Sequence, residues 1–468
     1  MSQGPTVVTH DPQQGYRPPT LDVLREYGAA VWNDVEIATK NGTFQGIILP
    51  RSETADANHI VIKLHNGYNV GLRADLVEKI TVRGTREAKY KIKEKVFPID
   101  PGKPAVSLLG TGGTIASRLD YRTGAVIPAF SPGELYGAVP ELADHCNLKT
   151  KKLFGIFSEN IAAEHWVAMA KAVEEEIRDG ADGVIIGHGT DTMHYSAAAL
   201  TFMVQNSPVP IIFVGSQRSS DRPSSDAALN LITSTHAAGR CDIAEVMVCM
   251  FGPTSDQYAL LHPGTRVRKM HSSYRSTFRT IGDIPLATVS PTEIKLLRTD
   301  YKSRRKDRNV SVNTAYDDRV SIVYYYPNMK PDIIDSLVDN GYRGIVIAGT
   351  GLGHINKPLY PSIRRAVERG VHIYMTVETL WGYVQMYVYD TGRDLMELGI
   401  IPAANMLPET AYVKLIWALG QSQDREKVKE IMLTPICREI TEREPHDGYL
   451  ILQGGIPEVR EMMSHLWK

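Results

Sequence analysis

Residues Ala105-Val-Ser-Leu-Leu-Gly-Thr-Gly-Gly-Thr114 and Gly183-Val-Ile-Ile-Gly-His-Gly-Thr-Asp-Thr192 decide how this chain is read. Each opens on a short, almost unbroken apolar run and passes directly into glycine and threonine. Such a run suits a strand buried on both faces, as in a parallel sheet. Glycine at its end permits the tight turn by which the strand leaves the sheet. Pro210-Ile-Ile-Phe-Val214 and Ile243-Ala-Glu-Val-Met-Val248 share this texture, and Trp166, Met169, Ala170, Val173 and Ile177 recur at helical spacing between such runs. Strands alternating with amphipathic helices predict an α/β layer with a mostly parallel sheet covered on both faces.

Outward from this centre the texture changes twice. Residues 1–95 carry short β-rich runs, Phe44–Leu49, His59–Leu64 and Tyr68–Leu72, with Asn66-Gly67 as a hairpin turn between the last two. They predict a small antiparallel, barrel-like domain without a catalytic cluster. Pro98 to Pro104 reads as a linker. A large α/β domain is expected over 104–315 and a smaller one over 320–440. The smaller unit has strands at Val320–Tyr324, Gly344–Ala348 and Val371–Met375 and a helix at Pro408–Leu419. The tail, 441–468, contains Tyr449–Leu452, a run suited to docking. Between the α/β units, the basic stretch Lys302–Arg308 reads as a solvated interdomain loop, with local RNA or partner contact as the other reading.

Composition excludes several classes. At 468 residues one core does not suffice, so two or three domains are expected. Lysine plus arginine (52) balance aspartate plus glutamate (53), so no overall basic field draws nucleic acid, and RNA would be reached locally or through a partner. The four cysteines are scattered without a Cys-x-x-Cys pair, which argues against a disulfide framework or a zinc site and for a reducing compartment. No cluster has metal-ligand spacing, so no metal is expected. No uncharged apolar run approaches the ~20 residues that span a bilayer, and the first 30 residues lack an apolar signal core. A cytoplasmic protein without membrane association is expected.

Ligands of open α/β sheets bind beyond the carboxyl ends of the strands, where both glycine-threonine loops lie. Nucleotide readings fail on detail. Ile115 stands where a dinucleotide fingerprint needs glycine, no Gly-Lys-Ser/Thr ending follows, and Gly349–Gly353 is equally incomplete. A threonine hydroxyl, in contrast, is a nucleophile once a base takes its proton. Thr190 has Asp191 beside it, and Lys269 follows in Arg266-Val-Arg-Lys-Met270. A desolvated lysine held by a carboxylate suits that task. His188 and His194 flank the second loop and read as structural.

On these residues the chain resembles the asparaginase/glutaminase family, in which Thr-Gly-Gly-Thr-Ile-Ala and His-Gly-Thr-Asp-Thr carry two active-site threonines. The resemblance implies a two-domain α/β core with a parallel sheet. It implies Thr114 as the first threonine, Thr190, Asp191 and Lys269 as the second group, and Ser158 with Glu159 as substrate-binding residues. Asp191 doubles as the anchor for the substrate amino group. A lid tyrosine is also implied, with Tyr121 preferred over Tyr136. The attacking residue stays open between the threonines, with Thr114 favoured. The stretch Val214–Arg218 through Ser225–Asn230 is similar to the family's next loop and helix. Residues 1–95, Arg266–Ser273, Thr379–Gly382 and Tyr389–Asp394 narrow the likeness to one archaeal branch, the D subunits of glutamyl-tRNA(Gln) amidotransferases.

That branch implies ammonia release from glutamine or asparagine for conversion of Glu-tRNA(Gln) to Gln-tRNA(Gln). The E subunit is the implied partner, in a heterotetramer of two D and two E, and contacts the tRNA and uses ATP and Mg. No cofactor is expected in this chain. The alternatives are a free-standing cytoplasmic L-asparaginase and a non-catalytic amino-acid-binding module.

Overall fold

The computed structural model describes residues 15–51, 56–66, 68–85, 98–112, 117–120, 125–128, 139–218, 224–253 and 256–445, the stretches 117–120 and 125–128 by their backbone alone. After a short helix, Thr20–Glu26 (α1), alternation of inward and outward side chains builds the first sheet. Its strands are Asn33–Thr39 (β1), Gly42–Ile48 (β2), His59–Leu64 (β3), Asn69–Arg73 (β4) and Val77–Thr85 (β5), all antiparallel, in the order β4-β3-β2-β1-β5. Val35, Ile37, Ile48, Ile60 and Ile62 fill its inner face together with Leu24 of α1. This is the small antiparallel unit that the β-rich runs predict, with β3 and β4 forming the expected hairpin.

Among the described residues the central sheet has eight strands. Ala105–Gly110 (β6) lies between Asn147–Lys152 (β9) and Gly183–Gly187 (β10), followed by Ile211–Val214 (β11) and Val246–Phe251 (β12), all parallel. The short hairpin Ser117–Asp120 (β7) and Ala125–Pro128 (β8) stands apart from it. Beyond β12 the sheet turns antiparallel through Ala259–Pro263 (β13), Ala287–Val289 (β16) and Ile294–Leu296 (β17). Val267–Lys269 (β14) and Phe278–Thr280 (β15) form a separate two-stranded ribbon. The sheet is therefore mixed, and the strand expected from Ile243 begins three residues later. Ile243 and Ala244 pair elsewhere: Ile243 bridges to Ser303, and the Ala244 amide donates to the Lys302 carbonyl at 2.7 Å.

Side chains alternate across the parallel strands to serve two helix layers. Leu109, Val184, Ile186, Ile211 and Phe213 pack against Ala163–Arg178 (α2) and Met193–Met203 (α3). Val106, Leu108, Ile185, Ile212 and Val214 meet Ala227–Arg240 (α4) on the other face. The predicted stripe Trp166, Met169, Ala170, Val173 and Ile177 is buried along α2.

The second α/β unit holds Val320–Tyr324 (β18), Gly344–Gly349 (β19), His372–Val377 (β20) and Ile401–Pro402 (β21), all parallel and in that order. Helices Asp332–Asp339 (α5), Tyr360–Glu368 (α6) and Asp390–Glu397 (α7) cover one face through Ile334, Ile363 and Leu395. Pro408–Gln421 (α8) covers the other, and its Ala411, Leu415 and Ile416 share a single apolar cluster with α3 of the first unit. Helix α8 is thus common packing for both units. Lys414 on α8 is fully buried, and its ammonium donates to the carbonyls of Met432 (3.0 Å) and Thr434 (2.7 Å) and to Glu439 Oε1 (2.7 Å). Glu439 also accepts the amides of Ile436 and Cys437, so one ion pair folds the segment after Arg425–Leu433 (α9) onto α8.

The basic run is exposed at Lys302, Arg305 and Lys306, as a solvated loop would be, but its arginines are also bonded to the first unit. Arg304 donates to the carbonyls of Ala238 and Cys241 at the end of α4 and to Asp182 O, Arg305 to Asn206 O, and Arg308 to Ala181 O and Asp182 Oδ1. Cations are consumed where helix C-terminal carbonyls lack partners. The run is a strap along the amino-terminal edge of the parallel sheet, and these three arginines donate to carbonyls of that unit from its surface.

Buried charge generates two stability predictions. Glu439→Gln leaves the Lys414 ammonium without its counter-charge and lowers the unfolding free energy in denaturant titration by about 3–5 kcal/mol, a loss that shrinks in a Lys414→Met background. Burial also depresses the pKa of His188 to about 4 and of His262 to about 3. The unfolded chain binds protons on these rings near pH 6.5 while the folded chain does not, so their contribution is complete above that pH and is lost as pH falls towards 3–4. At pH 5 each ring costs about 2 kcal/mol relative to neutral pH. The melting temperature is expected to drop between pH 7 and 5, and His262→Gln to flatten that slope.

Candidate active site

Strands β6 and β10 pair in parallel with Gly110 opposite Gly187, so both glycine-threonine loops leave the sheet side by side at its carboxyl edge. They are stitched there: the Thr111 amide (3.0 Å) and hydroxyl (2.9 Å) both donate to the Gly187 carbonyl. The chain after β9 runs against the first loop, since the Gly110 carbonyl accepts the Leu153 amide and the Thr111 carbonyl that of Ile156. Gly112, at φ +120°, approaches Ile156 so closely that an added Cβ would overlap the Ile156 carbonyl oxygen.

This contact delivers a short 3-10 turn, Ser158–Asn160, beside the second loop. Thr192 donates its hydroxyl proton to the Ser158 carbonyl at 2.6 Å, and a Cβ on Gly189 would lie 2.7 Å from that of Ser158. Ser158 is buried against the loop, whereas Glu159 points outward and is exposed. The second loop is propped from within by His188. Its Nδ1 donates to the Gly189 carbonyl (2.7 Å), which fixes the tautomer, so Nε2 accepts from Ser196 Oγ (2.8 Å). Ser196 in turn accepts the Trp166 indole N–H at 3.0 Å. His188 and His194 are both held neutral, His194 at about 3 by burial first and then by the nearby Arg268 charge. His188 thus braces the loop, in line with the structural reading, whereas His194 lines the cleft.

Lys269 reaches this loop from β14. Its ammonium donates to Thr190 Oγ1 at 2.9 Å and to Asp191 Oδ1 at 2.8 Å. Thr190 is buried at 7% exposure, and the side chain of Lys269 is 9% exposed against 71% for that of Asp191. The threonine oxygen and the lysine nitrogen are sheltered from water while the carboxylate faces it. Residues 78 and 79 positions apart in the chain are thereby brought into one hydrogen-bonded group. Chemically the group can move a proton from a hydroxyl to an amine and neutralise the resulting charge. Thr114, Tyr121 and Tyr136 lie outside the described residues.

Three residues adjoin this group that no pattern in the sequence singles out. A cleft of about 440 Å³ opens past Asp191 and Lys269 and is lined further in by Arg268, Tyr324 and Glu409. Glu409 Oε1 accepts from Arg268 (2.9 Å) and from the Tyr324 hydroxyl (2.8 Å). Glu409 follows Pro408 in the first turn of α8, a position that by itself reads as favourable placement of negative charge at a helix start. Among the described residues no group of three or more His, Cys, Asp or Glu side chains is placed to hold a metal ion, and no helix is long and apolar enough to cross a membrane.

Three family models match the chain: "Asparaginase, N-terminal" over residues 105–302, "Glutaminase/Asparaginase C-terminal domain" over 319–432 and "GatD N-terminal domain" over 29–82. Among solved structures, the thermostable L-asparaginase from Thermococcus kodakarensis matches with a TM-score of 0.64 at 30% identity, covering 72% of this chain and 99% of that one. A probable cytoplasmic L-asparaginase from Campylobacter jejuni matches with a TM-score of 0.59 at 28% identity, over 71% of this chain and 100% of that one. The D subunit of the Pyrococcus abyssi glutamyl-tRNA(Gln) amidotransferase is 50% identical over 87% of this chain and 93% of its own length. Its counterpart from Thermococcus kodakarensis is 47% identical over 92% and 98%. These likenesses run through the small antiparallel sheet as well as the two α/β units, and the chain belongs to the family of glutamyl-tRNA(Gln) amidotransferase D subunits, built on an asparaginase core.

Proposed function

We propose that the chain hydrolyses the side-chain amide of glutamine or asparagine and supplies the ammonia for converting Glu-tRNA(Gln) to Gln-tRNA(Gln). The observation that carries this reading is the position of Lys269 Nζ, within hydrogen-bond distance of both Thr190 Oγ1 and Asp191 Oδ1 in a partly buried cleft. A threonine hydroxyl attacks the amide carbon, and backbone N–H groups of a glycine loop stabilise the oxyanion. The amide nitrogen takes up a proton and departs as ammonia, and water then releases the free acid. Lys269 in its neutral form accepts the threonine proton, and Asp191 offsets the charge that forms. Thr114 is favoured as the attacking residue, with Thr190, Lys269 and Asp191 relaying protons. Ser158 and Asp191 hold the amino-acid end of the substrate, with Glu159 beside Ser158, and Tyr121 closes over the amide.

The name shared by the relatives concerns a tRNA substrate, and the sheet over residues 33–85 is the part that the L-asparaginase likeness does not require. The proposal extends to the E subunit as partner, in a complex of two D and two E subunits. That partner contacts Glu-tRNA(Gln) and uses ATP and Mg, while this chain needs no cofactor of its own and works in the cytoplasm. A free-standing L-asparaginase is the second reading, supported by the likeness of the core to solved L-asparaginases.

Ammonia release from glutamine separates the two readings. Stimulation of release by the partner protein, Glu-tRNA(Gln) and ATP is expected; full release from asparagine by the chain alone, unaffected by those additions, means a free-standing enzyme. Thr190→Val and Lys269→Met are each expected to lower kcat by about 10²–10⁴-fold, with unchanged circular dichroism. Turnover at the wild-type rate in either variant removes that residue from the proton relay.

A further inference from the structure

The lining of the cleft beside Thr190 includes, among the described residues, two cationic and two carboxylate side chains: Arg268 and Lys269, Asp191 and Glu409. They pair one to one. Lys269 takes Asp191 at 2.8 Å, and Arg268 takes Glu409 at 2.9 Å. The pairings are unequal in strength. Glu409 is 4% exposed and is held by a second donor, the Tyr324 hydroxyl, whereas Asp191 is 71% exposed with its charge largely in water. Ion pairs sheltered from water hold more tightly than exposed ones. Arg268 and Lys269 are consecutive on a strand of three residues, so their side chains leave it on opposite sides, and Glu409, steadied by Tyr324, receives the guanidinium. The raised pKa of Tyr324, which follows burial first and then the Glu409 charge, places carboxylate and phenol in one electrostatic unit.

We propose that Glu409 is a positioning residue: by sequestering Arg268 at the start of α8, it keeps that guanidinium from competing with Lys269 for Asp191. The second α/β unit thereby acts on the reaction without touching substrate. The proposal rests on the assignment of Lys269 to the proton relay and adds what keeps Lys269 in register. Without the Glu409 charge, Asp191 is the one carboxylate left lining the cleft among the described residues, and Arg268 turns to it.

The test is steady-state ammonia release by the full chain together with its partner protein. Glu409→Gln keeps the side-chain shape and the Tyr324 contact; it is expected to lower kcat by about 10-fold or more with KM within about twofold, with the circular dichroism of the wild type at the assay temperature. Adding Arg268→Met, which removes the competing cation, is expected to restore most of the lost kcat. A merely structural Glu409 gives the reverse, since the double variant is then no better than the single one, and that result overturns the proposal, as does an unchanged kcat in Glu409→Gln. Should Glu409→Gln not fold, Tyr324→Phe decides: loss of one hydrogen bond to Glu409 is expected to lower kcat by about 2–5-fold with KM unchanged, and wild-type kcat rules the proposal out. Lys269→Met, assayed alongside, tests the underlying assignment separately, because its activity does not depend on where Arg268 points.

Discussion

The parallel pairing of β6 with β10, glycine opposite glycine at their carboxyl ends, is the constraint from which the site follows. Parallel strands end at the same edge, so two loops far apart in the chain emerge together without any contact of their own. The double donation from Thr111 to the Gly187 carbonyl then locks their relative height. A slip of one residue would turn Leu109 and Ile186 from the α2–α3 layer to the α4 layer, and the alternation of the two apolar clusters forbids it. The rest of the first unit serves this register. Ser158 arrives because β9 pairs with β6, and His188 braces the second loop from the α3 side.

Lys269 reaches the site by a different logic. Strand β14 is too short to hold itself and is fixed by the second α/β unit. Arg266, fully buried, donates to the carbonyls of Asn405 (2.7 Å) and Glu439 (3.3 Å), and Thr410 of α8 donates to the Thr265 carbonyl at 2.8 Å. An arginine removed from water needs oxygens to accept from it, and the two that accept from Arg266 belong to the other unit. The lysine that reaches Thr190 and Asp191 in the first unit therefore takes its coordinates from the second.

The fold was legible where local chemistry and tertiary environment agree. Buried parallel strands announce themselves as apolar runs, and the α2 stripe needs only its own periodicity. Thr190 and Asp191 could be found because glycine flanks them, and Lys269 because the family resemblance carries it. Glu409 could not. It sits far along the chain from Arg268, in a first helical turn where any acidic residue is explained by the helix itself. The bonds made by Lys302–Arg308 were hidden for a related reason. A short stretch rich in charge looks solvated when its residues are read singly, and the carbonyls that consume three of the arginines come from separate places in the chain. Antiparallel β13, β16 and β17 were invisible because strands of three to five residues carry too little pattern.

The strap and the Arg266 anchor lie at the same end of the central sheet. Ser303 bridges to Ile243 just ahead of β12, and Arg266 follows the turn after Pro263, which pairs with Met247 at the start of β12. Arg438, next to the Glu439 carbonyl that receives Arg266, donates to Glu245 in the same place. The rivets that hold connecting chain and second unit are thus set where the parallel strands begin, a strand's length from the end at which the Thr190 loop emerges.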